Sequence, residues 1–194
     1  LSRQKLSLNM TGRKCQKLPL VYLDMMLAEH VGHMAKEIER KFLVRGDHWR
    51  DLVSEKLILR QAYVASMDDR SVRVRLTNHT VATLTMKIGR AMTRDEFEYE
   101  IPVADAEELL GNAIGLVIEK IRHKVPYKGF VWEVDVFRGV HRGLVIAEVE
   151  MEDESDDPEL PDWVGREVTG EYRYSNQALA TQFEQEYDEL SHSA

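Results

Sequence analysis

Cysteine is nearly absent: the chain of 194 residues has one, Cys15, so neither an intrachain disulfide nor a thiolate metal cluster can form. A long apolar run is absent too, which excludes a membrane-spanning helix of the usual length. The most apolar early stretch, Leu18 to Ala28, follows Arg13, Lys14 and Lys17. Pro19 and Asp24 interrupt it and no clear small-residue cleavage site follows, so it does not read as a secretory signal. Positive charge is in deficit. Lys and Arg number 26 against 34 Asp and Glu, for a net charge of −8, which argues against the broad phosphate-backbone footprint of a nucleic-acid binder. A focused basic cleft is still allowed, because a local field need not follow net charge. The seven histidines are scattered without zinc-ligand spacing and read as structural or exposed. No long-period repeat is present. The expectation is a cytoplasmic protein with no membrane and no nucleic-acid partner.

What the chain does have is alternation. In Glu37-Ile38-Glu39-Arg40-Lys41-Phe42-Leu43-Val44, period two puts Glu37, Glu39 and Lys41 on one face and Ile38, Phe42 and Val44 on the other. Two carboxylates and an ammonium in a row suit a divalent metal beside a phosphate. Residues 1–33 lack such patterning. They are expected to be a non-native or disordered leader, with Met34 as the natural start and a single domain over 34–190. Further strands are predicted over 57–64, 71–76, 81–88, 96–101, 118–125, 130–137 and 144–151. Short helices are predicted over 47–55 and 104–112, and a C-terminal helix over 176–190. Residues 152–157 read as an acidic solvated loop. The three tryptophans read as core.

The charged faces sort by strand. Glu37, Glu39, Glu98, Glu100, Glu133, Asp135, Glu148 and Glu150 are acidic; Lys41, Arg73, Arg75, Lys87, Lys120, Arg122 and Lys124 are basic. Any one strand could be ordinary sheet with a wet polar face. Taken together, the strands have charged faces of segregated sign and apolar faces that few helices can cover. A closed antiparallel barrel of about eight strands answers both, with charges inside and helices partly covering the outside. Burying that many charges is costly unless a ligand uses both signs. Arg and Lys suit polyanionic phosphate, and carboxylates without His or Cys suit Mg²⁺ or Mn²⁺ rather than zinc.

The ordered set Glu37-x-Glu39-x-Lys41, Arg73-Val74-Arg75, Lys87, Glu98-Tyr99-Glu100, Lys120-Ile121-Arg122, Glu133-Val134-Asp135 and Glu148-Val149-Glu150 resembles the CYTH superfamily, the triphosphate tunnel metalloenzymes. Glu167-Val168-Thr169 and Arg173 to Ala180 resemble its C-terminal segment, so the likeness runs over about residues 34 to 185. ExExK alone is a weak signal; the ordered set is strong. The resemblance implies a mainly β fold, an eight-stranded antiparallel tunnel with a C-terminal helix near one mouth. It also implies metal-dependent hydrolysis of a triphosphate. Glu37, Glu39, Glu148 and Glu150 would hold the metal. Lys41, Arg73, Arg75, Lys87, Lys120 and Arg122 would bind the triphosphate, with Arg173 reaching a mouth-side phosphate. Glu37, Glu39, Lys41 and Glu150 form the expected catalytic set, and Glu98, Glu100, Glu133 and Asp135 support it.

The segment MAKEIERKFLV most resembles short bacterial tripolyphosphatases, so the expected substrate is inorganic tripolyphosphate, cleaved to pyrophosphate and phosphate. A class IV adenylate cyclase, an organic triphosphatase acting on thiamine or nucleoside triphosphates, and a non-catalytic polyphosphate sensor are the alternatives. The oligomeric state is left open, a homodimer included.

Overall fold

The structure is a computed structural model that describes residues 35–182 except 68 and 90–92. The expected leader and the end of the C-terminal helix lie outside the described residues. The alternating segments form strands β1 (Ala35–Val44), β2 (Glu55–Met67), β3 (Arg70–Thr77), β4 (Val81–Ile88) and β5 (Thr93–Ile101). After helix α1 (Val103–Gly111) come β6 (Ile114–Tyr127), β7 (Phe130–Phe137), β8 (Val145–Met151), β9 (Val164–Glu167) and helix α2 (Asn176–Thr181).

The strands pair in the order β5-β4-β3-β2-β6-β7-β8-β1-β9, and β1 also pairs with β5. Every pairing is antiparallel, as short connections demand. The β1–β5 pairing, Ala35 opposite Glu96 through Ile38 opposite Thr93, joins the two ends of the eight-strand run into the expected barrel. The same edge of β1 then takes β9 beside Phe42 and Val44. The strand β9 escaped the sequence reading, because four residues after an acidic loop carry too little alternation to register.

Turn chemistry sets the register that the site depends on. Lys128 and Gly129 both have positive φ, as a two-residue turn of the primed type needs, and they join Tyr127 to Phe130. That register sets Arg122 opposite Asp135 and Lys124 opposite Glu133. Because side chains alternate, a slip of one residue would turn this whole charged row outward.

Two apolar clusters cover the outside of the barrel. Phe42, Val125, Trp132, Val134, Ala147 and Val149 pack under Trp49, Trp163 and Val164. All three tryptophans are therefore core, as expected, and Trp163 meets Trp132 edge-on. The helix predicted over 47–55 is a single 3-10 turn, His48–Leu52, that seats Trp49. On the other side α1 lays Ala106 and Leu110 over Ala62, Val74, Leu76 and Ala82.

A third cluster lies within the barrel and plugs it: Tyr63, Ile118, Phe137 and Ile146 packed against Ala180, with Leu179 beside them. Gly115 permits this close approach. It has φ +73°, and a Cβ there would stand 2.1 Å from the Ala180 carbonyl oxygen. Gly115 lies inside β6, where the β2–β6 register shifts by two residues between Gln61 and Tyr63. At the N-terminus of α2, the Ser175 hydroxyl caps the Ala178 N–H.

Candidate active site

The inward face of each strand is one arc of a charged ring. Carboxylates come from β5, β1, β8 and β7, and cations from β6, β3 and β4, with Lys41 on β1 as well. Between β6 and β3, β2 turns Leu57, Leu59 and Gln61 inward, opposite Arg122, Lys120 and Ile118 of β6. Strands of opposite sign stand beside one another, so most cations meet a carboxylate across a strand boundary.

The innermost group is the tightest. Lys120 Nζ donates to Asp135 at 2.5 Å and to Asn176 Oδ1 of α2 at 3.2 Å. Arg122 donates to Asp135 at 2.8 and 2.7 Å, to Glu148 at 2.6 Å, and also to Glu133. Lys41 lies 2.8 Å from Glu148 and 3.5 Å from Glu39. Nearer the β1–β5 seam, Lys87 lies 2.5 Å from Glu37 and 2.9 Å from Glu96. Arg73 donates to Thr85 Oγ1 at 3.1 Å and lies 3.8 Å from Glu98 and 3.9 Å from Glu96.

Arg75 differs. Its Nε donates to the neutral Gln61 Oε1 at 3.1 Å, and among the described residues it has no carboxylate partner. Burial, then its neighbours Arg73 and Arg122, push its guanidinium down to about 10, against the pull of Asp135 and Glu148. Lys120 is likewise pushed down to about 8. Burial is the main cause, and Arg122 and Arg75 add to it against Asp135 and Glu148. Burial works against ionised Glu148 as well. The cations Lys41, Arg122 and Lys120 overcome it and hold that carboxylate well below the usual range.

Glu150 has the opposite environment. It stands directly across β1–β8 from Glu39. The residue is more than a third exposed, yet its partial burial raises the carboxyl, and the fields of Glu37, Glu133, Glu96 and Glu39 raise it further. Negative charge is thus in excess on this side of the ring. Oxygen donors with excess negative charge and no His or Cys among them suit a hard divalent cation, Mg²⁺ or Mn²⁺. Glu37, Glu39 and Glu150 fit that role. Among the described residues no three carboxyl or imidazole groups are already drawn into a coordination shell. Glu148 is turned to Lys41 and Arg122, and Glu37 to Lys87.

The mouth is a cleft of about 690 Å³ whose lining includes Glu39, Lys41, Lys87, Ser66, Thr169 and Gln177. Thr169 Oγ1 accepts the Lys41 N–H at 2.9 Å, tying the segment after β9 to the ExExK strand.

Most of the residues expected from sequence therefore converge: Glu37, Glu39, Lys41, Arg73, Arg75, Lys87, Lys120, Arg122, Glu133, Asp135, Glu148 and Glu150. Three sit apart. Glu98 is nearly half exposed and reaches the ring from its rim, accepting from Thr85 Oγ1 at 2.9 Å and lying 3.8 Å from Arg73. Glu100 lies opposite Thr83 and is exposed. Arg173 is two-thirds exposed and donates to Glu171, away from the inner cations. Two residues that matter were missed. Glu96 shares the inward face of β5 with Glu98 and sits deeper; burial opposes its ionised form, but Lys87 holds it below the ordinary range. Period two already marked Glu96. Gln61, fully buried, had no signal beyond falling inward on β2.

Among the described residues no helix is long and apolar enough to cross a membrane. The chain is 46% identical over 147 residues to an inorganic triphosphatase of Acetivibrio thermocellus, an alignment covering 75% of this chain and 94% of that one. It is 38% identical over 149 residues to an inorganic triphosphatase of Nitrosomonas europaea, covering 74% and 96%. A crystal structure of an inorganic triphosphatase superposes with a TM-score of 0.55 at 36% identity, covering 77% of this chain and 97% of that one. The CYTH domain matches residues 35–184, all nine strands and both helices. By fold, ordered charged strands and sequence, the chain belongs to the CYTH domain family.

Proposed function

We propose that this protein hydrolyses inorganic triphosphate inside the barrel, releasing pyrophosphate and phosphate, with Mg²⁺ or Mn²⁺ held by Glu37, Glu39 and Glu150. The observation that carries this is the ring itself: inward cations on β6, β3 and β4 with Lys41 on β1, and the side of the ring facing Glu150 overloaded with negative charge. The inorganic triphosphatases it resembles at 46% and 38% identity support the same substrate.

Lys41, Arg73, Arg75, Lys87, Lys120 and Arg122 would exchange carboxylate oxygens for phosphate oxygens, so the charge that grips the substrate is already in place. When bound, the divalent ion supplies positive charge at phosphate oxygens and acidifies water. Water attacks the terminal phosphorus, the anhydride P–O bond breaks, and pyrophosphate departs with its negative charge met by the lysines and arginines. The inner cations Lys120 and Arg122 are buried, which strengthens their interactions with the substrate's phosphate oxygens.

The test is phosphate release from tripolyphosphate, ATP and thiamine triphosphate with Mg²⁺, Mn²⁺ or EDTA. Metal-dependent release fastest from tripolyphosphate is expected. Cyclic AMP and pyrophosphate from ATP would instead move the chain to cyclase chemistry.

The Lys120 ammonium adds a pH signature. Pushed down to about 8, it loses its charge as pH rises through that value. Triphosphate capture then weakens, so kcat/KM, which reports the free enzyme, should fall along a limb near pH 8. Stability moves the other way. Between about 8 and the ordinary lysine value the unfolded chain binds the extra proton, so folding becomes more favourable as pH rises. Lys120→Arg should remove the limb; a limb unchanged in that variant would assign it to another group.

A further inference from the structure

Gln61 lies midway along β2, with Arg75 as its Cα partner on β3 and Ile118 on β6. Its residue exposure is 0%. A buried carboxamide should satisfy both its ends. Here only the oxygen is satisfied, by Arg75 Nε at 3.1 Å. A guanidinium has donors and no acceptor, so the atom facing it must be the carboxamide oxygen. The NH₂ is therefore turned away from Arg75, and Gln61 Nε2 is buried without a hydrogen-bond partner. Arg73 Nε, from the next inward position of the adjacent strand, is buried and unpartnered as well.

Two orphaned donors beside Arg75 call for an acceptor-only group. Phosphate oxygens are such acceptors, whereas a carboxylate from the protein would cancel the charge of Arg75. The other inward cations all carry carboxylate partners, and an incoming anion must displace them. At Arg75 nothing charged has to leave.

Resting on the triphosphate reading, we propose that Gln61 is a substrate-binding and positioning residue. Its Oε1 aims Arg75 without neutralising it, and its Nε2 donates to an oxygen of the same phosphoryl group that Arg75 and Arg73 grip. The site thereby selects a fully ionised phosphoryl group, whose oxygens accept from all three side chains.

The test uses Gln61→Glu and Gln61→Leu in the full chain. For each, the melting temperature is measured without ligand, then with tripolyphosphate in EDTA, and kcat and KM are measured with Mg²⁺. Gln61→Glu gives Arg75 a carboxylate partner. The ligand-free protein should melt no lower than wild type, while KM for tripolyphosphate rises about tenfold or more and kcat changes less. Gln61→Leu removes the orphaned donor and keeps most of the volume. It should fold and lose much of the tripolyphosphate-induced stabilisation, which also covers a failure of the glutamate variant to fold.

Opposite signs for intrinsic stability and affinity are what a merely structural glutamine would not produce. If both variants lose stability and affinity in step, or both keep wild-type KM and ligand-induced stabilisation, Gln61 has no such role, although the wild-type triphosphatase stands. If wild type itself neither hydrolyses tripolyphosphate nor is stabilised by it, the triphosphate reading falls and this inference with it.

Discussion

Glu150→Gln should abolish metal-dependent turnover and, at the same time, raise the melting temperature of the metal-free protein. Both effects come from one arrangement. Glu150 faces Glu39 across β1–β8 and lies in the fields of Glu37, Glu133, Glu96 and Glu39. Without a cation these carboxylates repel one another, and an isosteric amide relieves the repulsion. A neutral amide is also a poor ligand for a hard divalent ion, so turnover should fall by about 10²-fold or more.

The pH dependence identifies the cause. A carboxyl held above its ordinary value contributes stability that is fully present below its unfolded-state value and lost as pH rises through its folded-state value. The variant should therefore melt higher than wild type at pH 7.5 and match it at about pH 4, where Glu150 is protonated in both states. Melting curves in EDTA at the two pH values, with a phosphate-release assay, check this. Wild-type turnover would remove Glu150 from the metal site, and a stability gain persisting at low pH would mean that repulsion is not its source.

Arg122→Leu has the second large effect, on folding. Arg122 binds Asp135 through two nitrogens and also holds Glu133 and Glu148, with only 8% of the residue exposed. Burial opposes its charge, but Asp135, Glu148 and Glu133 hold the guanidinium well above its ordinary value. Removing one partner of a buried ionic network leaves the others uncompensated, at a cost of about 3–5 kcal/mol. In a domain of this size that corresponds to a drop of about 6–20 °C in melting temperature. Adding Asp135→Asn removes the most buried of the orphaned carboxylates and should recover part of the loss, because the two side chains touch. Chemical denaturation of the single and double variants measures the coupling. A single-variant loss below about 1 kcal/mol would show that water or another cation replaces Arg122.

The contrast between Arg122 and Arg75 shows what was legible and what was not. Both read from sequence as basic residues on inward strand faces, and both are there. Nothing in the alternation distinguished a cation locked among three carboxylates from one resting on a neutral amide. That difference arises because β6 neighbours acidic β7 whereas β3 neighbours β2, whose inward residues are uncharged. Arg173 shows the converse. It sits just before a helix near the mouth, yet its side chain goes to Glu171 two residues away, and local pairing of that kind overrides a guess made from proximity in sequence. Glu96 and Glu98 share one inward face, and the choice between them turned on strand stagger: Glu96 is level with Lys87, and Glu98 with Thr85.

The sequence by itself determined the eight strands of the barrel, their inward faces and most of the inward charges, because period-two alternation is a local property that each segment carries independently. It also determined the family, because the charged motifs keep their order along the chain. Only the tertiary structure decided which carboxylate meets which cation. It alone decided that negative charge collects around Glu150, that α2 and an apolar cluster plug one end, and that Gln61 and Arg73 keep unpaired donors beside Arg75. Those are properties of neighbours across the ring, set by strand order, register and closure, and residues far apart in the chain share them only once the barrel has formed.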